Sequence, residues 1–281
     1  MNKTLSRTMI FDIQRNSFVD GPGTRTTVFF KGCNLKCAWC HNPESQSPSR
    51  ELAYYEKRCK GCGKCKELCA YNFESCDLCG ACADVCQNGA RKIVGAEYTS
   101  DDIMREIKKD VLFYEASGGG VTFSGGECML SIDMLEELLK ECKSEGIHTA
   151  VDTAGAVPYG YFERIIPYAD LFLYDVKMLN SERHKFYTGI DNELILNNLA
   201  RLLEARAPMI IRIPVIKDVN DSEEEMKGIK NFLDRHGSPL SVELLPYHGM
   251  GEYKYTALGR AVPRFSPPDE NRLLALKKIF R

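Results

Sequence analysis

Two hydrophobic periods alternate along this chain. Short apolar runs bounded by turn residues read as strands at residues 26–30, 121–124, 148–152, 171–177, 209–215 and 240–245. Between them, apolar residues recur every three or four positions, the helical period. Ser100 can cap a helix with Ile103, Ile107 and Val111 on one face, and Ser131 one that carries Met134, Leu135, Leu138, Leu139 and Cys142. Further helices are predicted after Pro158, over 193–206 and 222–236, and a closing one over 269–280. Six strand–helix units predict an α/β fold with a parallel sheet and helices outside it. Six fall short of the eight of a closed barrel, so the expectation is a partial (β/α)6 TIM-like barrel.

Residues 49–96 break the pattern. They are dense in Cys, Lys and Gly and poor in large aliphatic residues, and such a segment needs metal staples to hold a fold. The expected organisation is therefore a first part of the barrel over 1–48, a small ferredoxin-like insert over 49–96 and the remainder of the barrel over 97–281. Unusual polar residues fall at or near the predicted strand ends: Cys33, the run Ser124-Gly125-Gly126-Glu127, Asp152-Thr153, Asp175 with Lys177, Arg212, and Pro246-Tyr247-His248. In barrel-like sheets that carboxyl-terminal rim carries the active site.

Composition narrows the class. The chain has 281 residues, 44% of them apolar, and a formal net charge of −2, so nothing favours a polyanion such as nucleic acid. No signal peptide and no apolar run of membrane-spanning length is evident, which points to a soluble cytoplasmic protein, expected as a monomer. Eleven of the 13 cysteines lie between Cys33 and Cys86, mostly at spacings of two or three residues. In a reducing compartment such clustering reads as metal ligation.

Cys33, Cys37 and Cys40 form CxxxCxxC. Three thiolates on a four-iron cubane leave one iron open, as a catalytic metal site requires, and the amino and carboxylate groups of S-adenosylmethionine could chelate it. The run Cys37-Ala38-Trp39-Cys40-His41 also matches a c-type haem signature, and a zinc site of three cysteines with His41 is a second rival. Cys59, Cys62, Cys65 and Cys69, then Cys76, Cys79, Cys82 and Cys86, repeat the CxxCxxCxxxC spacing of bacterial ferredoxins, in which the fourth cysteine ligates the other cluster. Ala70 and Gln87 stand where proline usually follows, and six residues separate the runs, so crossed ligation, separate clusters and two zinc ions all stay open. Cys128 and Cys142 read as small packing residues.

CxxxCxxC with Trp39 before its last cysteine, preceded by Val19-Asp20-Gly21-Pro22-Gly23 and followed by His41-Asn42-Pro43, resembles the glycyl-radical-enzyme activating family of the radical SAM superfamily. So do Gly118-Gly119-Gly120-Val121-Thr122, Ser124-Gly125-Gly126-Glu127, Gly146-Ile147-His148-Thr149 and Leu244-Leu245-Pro246-Tyr247-His248. The likeness spans nearly the whole chain outside the insert. It implies an anaerobic oxidoreductase that cleaves S-adenosylmethionine to a 5′-deoxyadenosyl radical, which abstracts a glycine α hydrogen from a partner glycyl radical enzyme. A flavodoxin or ferredoxin would supply the electron. It implies three 4Fe-4S clusters, one catalytic on Cys33, Cys37 and Cys40 and two in the insert.

On the rim it implies that Trp39, Gly125, Gly126, Glu127, Asp152, Thr153, Lys177, Arg212 and His248 hold the cosubstrate. Asp152, Thr153 and Asp175 would hold a monovalent cation, and Asp20 and Gly21 would face the partner's glycine loop. Read singly, these residues have plainer roles: a strand-ending turn for the glycines, helix caps for Asp and Thr, solvated or paired charges for Lys and Arg, a core histidine. Two other functions stand as alternatives, a radical SAM enzyme acting on a small molecule and a ferredoxin-like electron carrier.

Overall fold

The computed structural model describes residues 7–71, 73 and 75–281; residues 1–6 of the first zone and 72 and 74 of the insert lie outside the described residues. Among the described residues ten strands run in chain order: β1 (Arg7–Ser17), β2 (Arg25–Phe30), β3 (Glu51–Tyr54), β4 (Arg91–Val94), β5 (Ala96–Thr99), β6 (Gly120–Gly125), β7 (Thr149–Thr153), β8 (Leu171–Asp175), β9 (Met209–Val215) and β10 (Ser241–Pro246). Eight of them form one sheet in the order β10-β9-β8-β7-β6-β2-β1-β5. The six from β10 to β2 are parallel neighbours and match the six predicted strands. β1 and β5 extend the sheet antiparallel beyond β2, and β5 and β10 are its two edges, so the barrel is open.

β1 and β5 escaped the sequence reading. A parallel strand covered on both faces is a near-continuous apolar run, whereas β1 is half solvated and carries Asp12, Gln14, Arg15 and Asn16 among its apolar residues. The helices fare better. In Ile132–Ser144 the buried residues include all five of the predicted face, Met134, Leu135, Leu138, Leu139 and Cys142. They pack on Val121, Phe123 and Val151 of the sheet within one apolar core. Each such side chain contributes roughly 1.5–3 kcal/mol by leaving water.

Two caps differ from expectation. Thr99, not Ser100, closes a capping box with Asp102. The Ser131 side chain caps nothing and instead bonds the Thr8 hydroxyl of β1 (2.9 Å). The predicted 100–111 face is also interrupted, because a tight turn at Lys108–Asp110 separates the helices Ser100–Ile107 and Val111–Ser117.

That turn delivers a buried carboxylate. Asp110 accepts from Arg15 Nε (2.9 Å) and from Thr26 Oγ1 (2.7 Å), and Tyr114 OH donates to the same threonine (2.6 Å). The group fastens β1 and β2 to the first helical layer. Hydrogen bonding from Arg15 is the main cause that holds Asp110 below the usual carboxylate range.

The insert leaves the barrel through β3 and returns through β4, which pair antiparallel. Two short helices, Lys64–Leu68 and Ala81–Asp84, lie between them, each entered through a glycine in the left-handed region, Gly63 (φ 79°) and Gly80 (φ 88°). Glu51 ties the insert to the barrel. It accepts from Lys31 Nζ (2.7 Å) and pairs with Arg260. Among the described residues no helix is long and apolar enough to cross a membrane.

Asp110→Ala is expected to cost about 2–3 kcal/mol of unfolding free energy, as loss of hydrogen bonds to a buried charge does. Because the native carboxyl titrates below the unfolded one, this stabilisation is full above about pH 4 and fades as pH falls through the native value. Urea titrations at neutral and acid pH should show the deficit of the variant shrinking in acid.

Candidate active site at the open mouth of the barrel

The loop after β2 carries Cys33, Cys37 and Cys40, and the chain secures it from several sides. Cys33 N donates to Gln46 O (3.3 Å), Lys36 N to Thr188 O (2.7 Å) and Ala38 N to Tyr187 O (2.8 Å). Asn34 Nδ2 donates to Ala156 O in the loop after β7 (2.6 Å), and Tyr255 OH to Cys40 O (2.9 Å). Trp39, only 6% exposed, packs with Met178, Ile216, Val219 and Tyr247 and meets the rings of Tyr187 and Phe265. Its side chain is thus an anchor that pins the loop, and its indole faces the chain's own aromatic residues.

Burial, first of all causes, pushes the three thiols up, Cys40 to about 12. Such thiols ionise only beside strong positive charge, which iron would bring. Leu35 N also points at Cys33 Sγ (3.4 Å), the kind of amide donor that supports a cluster sulfur. The donor set therefore fits an iron–sulfur group.

Ser124-Gly125-Gly126-Glu127 ends β6 beside this loop. Gly126 N donates to Phe30 O and Glu127 N to Gly32 O (both 2.9 Å). A Cβ on either glycine would collide with the backbone of β2 or of the cysteine loop. The glycines are thus required by the approach of two main chains, and what they leave facing the mouth is backbone.

Glu127 is buried beside the cysteine loop, close enough for its charge to act on Cys33. Its carboxylate, 1% exposed, accepts from Thr153 Oγ1 at both oxygens (2.8 and 2.9 Å), Ala154 N (3.0 Å) and Met129 N (3.3 Å). Burial raises it to about 7 against those hydrogen bonds, with Asp152 adding to the rise. Glu127 and Thr153 thus brace the loops after β6 and β7 against each other.

The charged residues do assemble. In the β8–β9 register Asp175, the last residue of β8, stands opposite Arg212, the fourth of β9, so a mid-strand arginine reaches the rim. Lys177 Nζ donates to Asp175 Oδ2 (2.7 Å). Burial opposes the lysine's charge, but Asp175 and Cys37 outweigh it and hold the pKa above the ordinary value. Asp152 accepts from Ser124 Oγ (2.6 Å) and lies 3.6 Å from Arg212 Nη1. Burial raises Asp152 to about 6, with Arg212 opposing. Arg212 also approaches Glu243 (3.9 Å) and donates to Val19 O (3.4 Å), which places the turn bearing Asp20 and Gly21 beside it.

His248 is exposed and its ring stacks on His41 at 3.9 Å and 22°. In the sequence His41 stands as a rival zinc ligand and as part of the motif after Cys40. It now joins the site, with Nε2 buried and no partner among the described residues. Cys128 and Cys142 are fully buried, as expected of packing residues.

Buried asparagines that sequence reasoning missed hold the rim loops. Asn198 Nδ2 donates to Gly155 O (2.8 Å) and Val157 O (2.7 Å). Asn220 Nδ2 donates to Lys177 O (2.7 Å) and Pro214 O (2.6 Å), and its Oδ1 accepts from Ile216 N (2.8 Å). A signal existed for Asn198, a lone amide on the face of Ile195, Leu199 and Leu202.

In the insert, Cys59, Cys62 and Cys65 of the first run line one cavity with Cys86 of the second. Cys82 is raised by burial, lowered by Arg91 and raised again by Cys76, Cys69 and Cys79. Amides face Cys59 (Gly61 N, 3.5 Å), Cys69 (Phe73 N, 3.3 Å) and Cys86 (Ala90 N, 3.2 Å), again suited to iron–sulfur groups. Among the described residues no three His, Cys, Asp or Glu side chains gather on one ion position.

An open parallel barrel with a three-cysteine loop at its mouth is the architecture of a class, and comparison with known proteins agrees. The radical SAM superfamily profile matches residues 27–228. The trans-4-hydroxy-L-proline dehydratase activating enzyme of Clostridioides difficile is 43% identical, over 97% of this chain and 95% of its own. The choline trimethylamine-lyase activating enzyme of Oleidesulfovibrio alaskensis is 40% identical, over 92% and 89%. A solved domain of a pyruvate-formate lyase-activating enzyme from Bacteroides vulgatus superposes with a TM-score of 0.51 at 34% identity, covering 58% of this chain and 92% of that domain. The chain belongs to the radical SAM superfamily and, within it, to the activating enzymes of glycyl radical enzymes.

Asn198→Ala strips the partner from two buried carbonyls, at roughly 1–3 kcal/mol each. The expected outcome is a loss of about 2–4 kcal/mol in denaturant unfolding, with the loop 153–157 gaining hydrogen exchange before the core does.

Proposed function

We propose that the mouth formed by the cysteine loop, the Asp152–Arg212 and Lys177–Asp175 pairs and the His41–His248 stack binds S-adenosylmethionine and presents its 5′ carbon to a glycine of a partner enzyme. The observation that carries this reading is the convergence of those groups with the Asp20–Gly21 turn at one opening. When bound, the 4Fe-4S cluster of Cys33, Cys37 and Cys40 supplies one electron that splits the cosubstrate into methionine and a 5′-deoxyadenosyl radical, the agent that takes the glycine α hydrogen. The chain's own part is position and exclusion of water.

Lys177 and Arg212 are the cations available to the methionyl carboxylate, and the backbone of Ser124–Gly126 the acceptors for its amino group. Glu127 and Trp39 act behind them, as braces. The stacked histidines offer the ribose a polar edge. Asp152 and Asp175 remain candidate ligands for a monovalent cation, while the Thr153 hydroxyl would have to leave Glu127 to join them.

In the insert, the cavity shared by Cys59, Cys62, Cys65 and Cys86 supports crossed ligation, with Cys69 completing the set of Cys76, Cys79 and Cys82. Two further 4Fe-4S clusters there would relay electrons from a flavodoxin or ferredoxin. The near full-length likeness to the trans-4-hydroxy-L-proline dehydratase activating enzyme makes that dehydratase the first partner to try, and choline trimethylamine-lyase the second.

Cys33→Ala, Cys37→Ala or Cys40→Ala should each abolish 5′-deoxyadenosine release under dithionite while more than half of the bound iron remains in the insert. In the wild type, release should be matched by a glycyl radical signal in electron paramagnetic resonance on a member of the partner panel. A chain that cleaves the cosubstrate but marks no panel member favours a small-molecule substrate.

Cys86→Ala should alter the spectrum of the cluster held by the first run and leave the second intact. Damage confined to the second run would mean that each run holds its own cluster.

A further inference from the structure

Below the rim, the turn of residues 17–24 between β1 and β2 is held from inside the barrel by an arginine with no role so far. Arg25, the first residue of β2, is fully buried. Its Nε donates to Thr122 Oγ1 (2.6 Å), its Nη1 to Pro22 O (3.1 Å) and its Nη2 to Val121 O, and both Nη atoms stand 3.5 Å from His148 Nδ1. Thr122 passes the restraint on, because its hydroxyl donates to Asp20 O (2.7 Å). The Asp20 carboxylate accepts from Ser17 Oγ (2.6 Å) and Thr27 Oγ1 (2.8 Å). Gly21 (φ +119°) lies on the arginine stem, where a Cβ would stand 3.1 Å from Arg25 Cδ. Gly23 (φ +71°) packs on the backbone of Gly118 and Gly119, which leaves no room for a side chain.

The outer side of the turn is different. Phe18 and Val19 are 74% and 75% exposed, and Val19 O is met by Arg212, a residue of the site. The turn therefore presents an apolar tip outward beside the charged mouth, on a base fixed from within.

A buried guanidinium met by a hydroxyl, carbonyls and an imidazole is a costly way to fill space, and an apolar residue of that volume would pack at lower cost. Burial lowers its pKa to about 10, so the charge persists at neutral pH. What arginine adds is a rigid planar fork of donors with set directions. Here they tie β2, β6 and the Pro22 carbonyl into one geometry.

We propose that Arg25 is a positioning residue for the partner: directly at Pro22 O and through Thr122 at Asp20 O, it sets the Asp20–Gly21–Pro22 turn against which the glycine-bearing loop is held. The inference rests on the activating reading of the site. It places Arg25 and Thr122 outside cosubstrate binding, so a disturbed turn should weaken capture of the partner and leave S-adenosylmethionine cleavage intact.

The test uses reconstituted holoenzyme with the partner that the wild type marks. Arg25→Met should raise KM for the partner at least tenfold and Thr122→Val, nearly isosteric, at least threefold. Arg25→Lys should recover part of the loss. Release of 5′-deoxyadenosine without partner should stay within twofold of wild type in all three. Unchanged KM in Thr122→Val and Arg25→Met overturns the proposal, as does a parallel fall of partnerless cleavage and radical formation. Should Arg25→Met fail to fold, an unchanged KM in Thr122→Val overturns it alone. Wild-type enzyme that marks no panel member refutes the activating reading itself, whereas a marked wild type with unaltered variants refutes only the role of Arg25.

Discussion

Everything at the mouth depends on how closely two main chains approach where β2 and β6 end. Gly126 N reaches Phe30 O and Glu127 N reaches Gly32 O, a contact that any side chain at Gly125 or Gly126 would prevent. The contact fixes the exit of β2, and Gly32 N and Cys33 N then continue the pairing to Ser45 O and Gln46 O. So the position of the first cysteine is set by backbone hydrogen bonds, which must be satisfied once buried. The Glu127 carboxylate then meets the end of β7, where the Thr153 hydroxyl and Ala154 N hold it, with Met129 N of its own loop as a third donor. One close approach thus fixes three of the loops that shape the site.

The remaining loops are secured by amides. Asn34, Asn192 and Asn198 each spend their NH2 groups on carbonyls of rim loops, and Asn220 joins the Lys177 carbonyl of one such loop to the Pro214 carbonyl of β9. A buried carbonyl without a donor would cost more than such a side chain does. The result is a rim whose backbone is held in place beneath the polar side chains of Lys177, Arg212 and His248. Charge at the mouth is balanced in pairs, Lys177 with Asp175 and Arg212 with Asp152. A carboxylate or a cluster entering the site would meet cations already neutralised by exchangeable partners, which suits reversible binding.

The insert follows another logic. Its repeated cysteine run, with a left-handed glycine at the same place in each half, builds two similar turns. Those turns face each other closely enough for Cys86 to join the first run's cavity. It contributes little apolar core, and Glu51, held by Lys31 and Arg260, seats it against the barrel. The class of the chain is therefore carried by the barrel and its three-cysteine loop.

Local periodicity determined the six parallel strands, the buried faces of the long helices and the CxxxCxxC loop after β2, because burial on two faces and helical spacing are written in consecutive residues. The same locality hid β1 and β5, whose exposed faces dilute the signal, and it could not show which of the chain's own groups Trp39 and Glu127 meet, the rings of Tyr187 and Phe265 and the Thr153 hydroxyl. Only assembly and curvature of the open sheet could bring Glu127 to Thr153, His41 to His248, Arg25 to Thr122 and Arg212 to the turn at Val19. Those pairs are separated by tens to just over two hundred residues, and their geometry is set by strand register, which no short window of sequence contains.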